Sequence, residues 1–250
     1  RDLLYRLKQK YGETLDAVLE TRRSAAAELD LLDTADLDLR ALAAQRTALA
    51  EAVTGAARAL SERRAGAAER LARGVNRILP KLGLAGGRLS VALPAAAVPG
   101  PHGAESVQFL VQLNAGMEAR PLARVASGGE LSRLMLALKV VLARHDALPT
   151  LVFDEVDQGI GGEIGGQVGA ALADVSERHQ VLVITHLPQI AARADRHLVV
   201  SKRARGGVAT SDVAWIHGED RVAELARMLG DPDGDTARRH ALAMLGAAAR

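Results

Sequence analysis

The spacing of apolar residues changes once along this chain, across residues 78–87, and that change decides what the chain can fold into. Before it, Leu4, Leu7, Tyr11, Leu15, Val18 and Leu19 recur three and four residues apart. Leu29, Leu32, Leu39, Leu42, Leu49, Val53, Ala56, Leu60 and Leu71 continue the pattern, with charges of both signs between them. A sustained period of this kind marks a helical arm, a coiled coil or helical hairpin, over residues 1–73. Imperfect heptads leave an ordinary globular helix bundle as the alternative. Residues 10–14 and 32–38 read as breaks, because Gly and clustered Asp and Thr favour turns and caps. Pro80, Gly83, Gly86 and Gly87 then end the helical region.

Residues 74–250 alternate strand and helix, so the fold class is α/β. Residues 88–94 and 105–116 read as strands, the second with Val107, Phe109, Val111 and Leu113 on one face. The Pro, Gly and Ala stretch 94–103 reads as a loop. A helix from Gly128 to about His145 buries Leu131, Leu134, Met135, Leu138, Val141 and Leu142. The run Leu151, Val152, Phe153 is short and continuously apolar, the mark of a parallel-sheet strand covered on both faces. A helix with Ile164, Val168, Leu172 and Val175 on one stripe and a second buried strand, 180–186, follow. A late strand pair and two closing helices complete the chain.

Composition narrows the function. Net charge is +2 and no segment is a basic tail, so charge alone does not point to nucleic acid. The absence of Cys excludes a disulfide framework and any Cys-ligated zinc or iron–sulfur site within these residues, and fits a reducing compartment. Apolar stretches fall well short of a membrane span, and the chain opens at Arg1 without Met, as a fragment does.

Three local features carry chemistry. Ser127-Gly128-Gly129 stands immediately before a helix. Glycines admit close backbone approach, the helix adds its positive dipole end, and Ser127 adds a hydroxyl, which together suit a phosphate. Taken alone, a turn with an N-cap explains the same residues. Asp154 and Glu155 sit where a buried strand ends, which is where open α/β sheets bind ligands. Asp154 there could hold Mg²⁺, directly or through water, and Glu155 could orient and deprotonate an attacking water. Thr185 and His186 close the next buried strand, where His186 could donate a hydrogen bond to a terminal phosphate. Asp154 follows Gly129 by 25 residues and precedes His186 by 32, in each case about one helix and one strand. Three such elements in succession on one scaffold outweigh the ordinary reading of each.

The run resembles the C-terminal half of an ABC-type ATPase head. The resemblance implies a signature at Ser127, Gly128, Gly129 and Glu130, and a Walker B strand ending at Asp154. It also implies a catalytic Glu155, a D-loop whose Asp157 makes contact across a dimer interface, and a switch His186. Residues 125–139, 153–162 and 183–195 more closely resemble the RecN family of bacterial DNA-repair ATPases, an SMC-like branch in which a coiled-coil arm precedes this lobe. Gln158 departs from the smaller polar residue expected at its place. The resemblance implies two parts, an arm at 1–73 with returning antiparallel helices and the C-terminal lobe of the head at 74–250. It also implies ATP and Mg²⁺ as ligands, and as partners an N-terminal P-loop lobe of the same protein, a second head, DNA and other recombination proteins. The setting it implies is cytoplasmic and nucleoid-associated, without a membrane.

A complete site of this kind needs a P-loop, G-x-x-x-x-G-K-[ST]. The five lysines are Lys8, Lys10, Lys81, Lys139 and Lys202, and none follows a glycine, so half of the site is missing from these residues. Gly159 and Gly161 do not make a dinucleotide fingerprint, because Ile164 takes the third glycine's place. Arg193, Arg196, Lys202, Arg203 and Arg205 form a candidate DNA surface, with a solvated face as the ordinary reading. Two other functions compete. One is the nucleotide-binding subunit of an ABC transporter, against which the long helical segment before the signature speaks. The other is a non-catalytic coiled-coil interaction module.

Overall fold

The computed structural model describes the whole chain except residues 126, 127, 144, 206, 207, 233, 249 and 250, with residues 203–205 and 208–209 described by backbone alone. Contacts divide the chain into two units, Arg1–Glu62 with Ala96–Glu105, and Arg63–Ala95 with Ser106–Arg250.

In the first unit, helix α1 (Asp2–Tyr11) ends at Gly12, whose φ of 147° only glycine adopts readily. Thr14 then accepts the Ala17 N–H at 3.2 Å, which caps helix α2 (Leu15–Ile78). The break expected at residues 10–14 is therefore present. The one expected at 32–38 is not, and α2 runs through it. Thr34 turns its hydroxyl back onto the Asp30 carbonyl, and Asp36 pairs with Arg40 one turn on at 2.8 Å, so the turn-forming side chains are spent on the helix itself. The apolar positions of the arm are exposed, Leu29, Leu32, Leu39, Leu42 and Leu49 among them. Residues 94–103, expected as a loop, contribute instead to a two-stranded sheet of β2 (Ala95–Gly100) and β3 (Gly103–Glu105).

The second unit holds the core. After α2 ends, a 3-10 turn at Leu79–Leu82 closes on Gly83 in the left-handed conformation, as the Pro and Gly signals require. Strand β1 (Arg88–Ala92) pairs antiparallel with β4 (Gln108–Gln112), and β4 with β5 (Arg120–Pro121). Asn76, in the last turns of α2, fixes β1 by taking both polar groups of Leu89: the Leu89 N–H donates to Asn76 Oδ1 at 2.7 Å, and Asn76 Nδ2 donates to the Leu89 carbonyl at 3.0 Å.

Helix α3 (Gly128–Leu142) leads to β6 (Thr150–Phe153), then α4 (Gly162–Ser176) and β7 (Gln180–Val183), which lies parallel to β6 with Phe153 opposite Val183. Leu134, Leu136 and Leu138 of α3, Leu151 and Phe153 of β6, and Val168, Leu172 and Val175 of α4 share one core with Val75 and Leu79. Full burial of such side chains stabilises by about 1.5–3 kcal/mol each. The other face of the β6–β7 pair differs from expectation. Val152, Leu182 and Ile184 are 66, 44 and 60 % exposed, so among the described residues this sheet is covered on one side only.

Beyond β7, the short helix α5 (Pro188–Ala191) packs on α4, and Gly165 and Gly169 admit it. A Cβ at Gly169 would lie 3.1 Å from the Gln189 carbonyl oxygen. Strands β8 (His197–Arg205) and β9 (Val208–Ile216) form the expected late strand pair, and they run antiparallel. Helices α6 (Gly218–Met228) and α7 (Asp235–Ala248) build a second cluster with α5 around Leu225 and Ala241. Arg221 ties α6 to the end of α5 by donating to the Ala191, Ala192 and Ala194 carbonyls.

Gly169→Ala should lower the unfolding free energy by about 1–3 kcal/mol in denaturant titration, because the Gln189 backbone must move. Gly166→Ala, on the same helix with nothing near its Cβ, should be neutral or stabilising by about 0.5–1 kcal/mol.

Candidate functional site

The site is built around the turn 154–158 that leaves β6. Asp154 is exposed at the strand end and its Oδ1 accepts the Glu155 N–H at 2.8 Å. Glu155 follows with φ 56°, the one non-glycine residue among those described with positive φ. A glutamate held in the left-handed region costs about 1–3 kcal/mol, which the surroundings must repay. The turn closes with Gln158 N–H donating to the Glu155 carbonyl at 3.1 Å and Ile160 N–H to the Asp157 carbonyl at 3.3 Å.

The N-terminus of α3 presses against this turn. Any Cβ at Gly128 would collide with the Glu155 carboxylate, and one at Gly129 would sit 2.8 Å from Gln158 Cβ and 3.1 Å from the Glu155 carbonyl oxygen. Gly129 thus makes room for the turn, while a Cβ at Gly128 would displace only the end of the exposed Glu155 side chain. Gly129 N–H donates to Gln158 Oε1 at 3.2 Å, so the residue that departed from the expected pattern occupies a helix N-terminal amide. Glu130 is half-buried, and Ser127 lies outside the described residues.

Arg133 holds the turn from beneath. It is 4 % exposed, and its Nη1 donates to the Gln158 carbonyl at 2.7 Å and the Val156 carbonyl at 3.4 Å. Burial pulls its guanidinium below the ordinary value, against the opposing charges of Glu130 and Asp157. Sequence reasoning missed this residue. Its signal was the spacing of four from Gly129, which puts both on one side of α3.

Asp157, expected to make contact across a dimer interface, is 4 % exposed within this chain. Its Oδ2 accepts the Thr185 hydroxyl at 2.5 Å and the His186 backbone N–H at 2.7 Å, and stands 3.0 Å from His186 Nδ1. The His186 ring itself is exposed. The structure therefore brings Gly128, Gly129, Asp154, Glu155, Asp157 and His186 to one end of the β6–β7 pair. A groove of about 360 Å³ beside them runs between α3 and β6, lined by Gly128, Leu131, Met135, Val152 and Asp154 among others.

Among the described residues no three His, Asp or Glu side chains converge on a metal position. A single exposed carboxylate at a strand end fits a hard cation such as Mg²⁺, which retains its waters. The basic residues are spread out. Arg193 follows α5, Arg196 lies 5.9 Å from the Trp215 ring centroid, and Lys202 is exposed on β8, while the side chains of Arg203 and Arg205 lie outside those described.

No protein-family model matches the chain. It is 46 % identical, over 99 % of its length, to the DNA repair protein RecN of Treponema pallidum, and 40 % identical over 97 % to that of Deinococcus radiodurans. The chain belongs to the RecN family. It spans 44 % and 43 % of the length of those two RecN proteins. Its fold is that of an Smc head domain with a coiled coil and joint from Pyrococcus yayanosii, with a TM-score of 0.54 and 19 % identity over 82 % of this chain and 37 % of that one. The RecN-family relation and this fold agree with the α/β head and preceding arm expected from the sequence.

Replacing Arg133 by Leu should cost about 2–4 kcal/mol of unfolding free energy, the usual loss when a buried charged donor leaves its acceptors and opposing charges unpaired. Chemical denaturation measures it; a loss below about 0.5 kcal/mol would mean that the turn does not depend on this side chain.

Proposed function

We propose that this chain is the C-terminal lobe and returning arm of the head of a RecN-type DNA-repair ATPase, and that it contributes half of a composite ATP site. The observation that carries the reading is the turn 154–158, which touches both the glycine N-terminus of α3 and His186 at the end of β7. In this reading Ser127, Gly128, Gly129 and Glu130 meet the terminal phosphate of a nucleotide held by another head. Asp154 holds Mg²⁺ through water, Glu155 orients and deprotonates the attacking water, and His186 contacts the phosphate. Bound Mg²⁺ would offset phosphate charge.

The rest of the site belongs to an N-terminal lobe of the same protein that carries the P-loop. The uncovered apolar face of β6–β7 and the groove beside Asp154 support such a lobe, since an exposed apolar sheet face is stable only when something covers it. Two heads would enclose ATP between them, and hydrolysis would part them, moving the arms and holding or releasing DNA. DNA, a second head and other recombination proteins are the partners, in a cytoplasmic, nucleoid-associated setting. No helix among the described residues is long and apolar enough to cross a membrane. The 64-residue α2 ahead of the lobe disfavours a transporter subunit, where a compact helical subdomain would stand. The exposed leucines of α2 favour a role for the arm in helix pairing alongside the ATPase.

The chain by itself should neither bind ATP tightly nor hydrolyse it. Joined to a P-loop lobe it should turn over, and Glu155→Gln should then slow hydrolysis about 10²–10⁴-fold with nucleotide binding retained. Robust hydrolysis by the 250-residue chain alone would overturn the half-site reading. DNA affinity of the complete protein should fall steeply between low and moderate salt. Neutralising Arg193, Arg196, Lys202, Arg203 and Arg205 without weakening that affinity would remove this surface as the DNA contact.

A further inference from the structure

The first turn of α3 is already engaged by its own chain. A helix leaves its first backbone N–H groups without intrahelical partners, and the positive end of its dipole draws anionic oxygen to them. Gly129 N–H is one of these groups, and it donates to Gln158 Oε1 at 3.2 Å. A Cβ built on Gly128 would collide with Glu155 Oε2 and lie 3.8 Å from Gln158 Oε1, so both side-chain oxygens stand close to the start of the helix.

The backbone of Gln158 is held on both sides. Its carbonyl accepts Arg133 Nη1 at 2.7 Å, and its N–H donates to the Glu155 carbonyl at 3.1 Å. The residue as a whole is exposed. The side-chain amide can therefore swing from Gly129 into water by rotation about its own bonds, with the turn unchanged. Which end of that amide faces the helix is fixed by chemistry, because a backbone N–H needs an acceptor and Oε1 is the acceptor of the group.

We propose that the Gln158 side chain is an internal stand-in for a phosphoryl oxygen at the Gly129 N–H, and that it sets the nucleotide concentration at which two heads close, a role that rests on the ATPase reading for the identity of the ligand. In the nucleotide-free state the glutamine oxygen satisfies the amide. A phosphoryl oxygen brought by another head must displace it. Apparent affinity is then reduced according to the fraction of molecules in which the amide is free. The effect is that of one exposed hydrogen bond exchanged against water, about 2- to 10-fold. A neutral amide suits this role, since it fills the position without setting a second negative charge beside Glu155 against the incoming phosphate. A carboxylate in its place would hold the helix end more firmly and repel the ligand. A purely structural cap predicts the opposite sign: its loss would loosen α3 and raise the nucleotide requirement.

Both tests use the complete protein with its P-loop lobe. They use Gln158→Ala, which keeps the Cβ and the backbone groups bonded to Arg133 and Glu155. In the nucleotide-free state, residue-resolved hydrogen exchange should find the Gly129 N–H about 2- to 10-fold faster in Gln158→Ala than in the wild type, with the Leu134 and Leu138 amides of the same helix unchanged. Equal exchange at Gly129 would overturn the proposal, and so would faster exchange along the whole of α3, which marks a structural cap. The second test follows head association by sedimentation against the concentration of a non-hydrolysable ATP analogue. Half-maximal association should need about 2- to 10-fold less analogue in Gln158→Ala, and more than the wild type in Gln158→Glu. Binding of the analogue to single heads, at protein concentrations too low for association, should be the same in all three. A requirement unchanged or raised in Gln158→Ala would overturn the proposal while the composite site stands. Absence of analogue-dependent association in the wild type would overturn the composite-site reading, and with it the phosphate as the competitor of Gln158; the exchange comparison would then decide the Gln158–Gly129 contact alone.

Discussion

A single buried guanidinium holds the functional end of this molecule together. Arg133 spans from α3 to the carbonyls of Val156 and Gln158, and its charge faces Asp157. Without it the turn 154–158 would have two unpaired carbonyls and a buried carboxylate with no opposing charge, each a cost of about 1–3 kcal/mol or more. With it, the turn can tolerate a glutamate at φ 56°. The strain at Glu155 and the buried guanidinium beneath it are two sides of one arrangement: fixed hydrogen bonds support a backbone that would not adopt this conformation in isolation.

The glycines at the start of α3 have their explanation in the same place. At Gly129 a Cβ would meet Gln158 Cβ and the backbone of the turn, so a side chain is excluded there, whereas at Gly128 it would displace the end of the Glu155 side chain. A helix N-terminus that already faces a carboxylate and a side-chain amide oxygen has its orphan N–H groups partly satisfied. An incoming phosphate would compete with groups of similar chemistry. The turn after β6 and the N-terminus of α3 are therefore joined by direct contact within one chain.

Much of this was legible from the sequence, and the failures have physical causes. Period alone located the arm, the βαβ core and the late strand pair, because burial imposes its own spacing on helix and strand. The stretch at 32–38 misled because Thr34 and Asp36 bond along the helix, where the same side chains elsewhere terminate one. Strand β6 misled because a continuous apolar run signals burial on both faces whether or not the covering layer is among the residues at hand. At the site, strand ends and glycine spacing pointed to Asp154, Glu155, Gly128, Gly129 and His186. Arg133 and the inward turn of Asp157 were invisible, since each depends on a contact between segments more than twenty residues apart. Gln158 was noticed only as a departure, and its contact with Gly129 gives that departure a structural meaning.

The uncovered face of β6–β7 makes the stability of this unit a linked quantity. Val152 and Leu182 lie on the two strands whose ends lead to Asp154 and His186, and Ile184 directly follows the second. Whatever covers them binds the folded form and not the unfolded one, so it raises stability by an amount set by its own concentration and affinity. Occupancy of the apolar face and order at the strand ends are then one equilibrium. A molecule that never touches the carboxylates or the imidazole could tighten or loosen their geometry by acting on three aliphatic side chains on the uncovered side of the sheet.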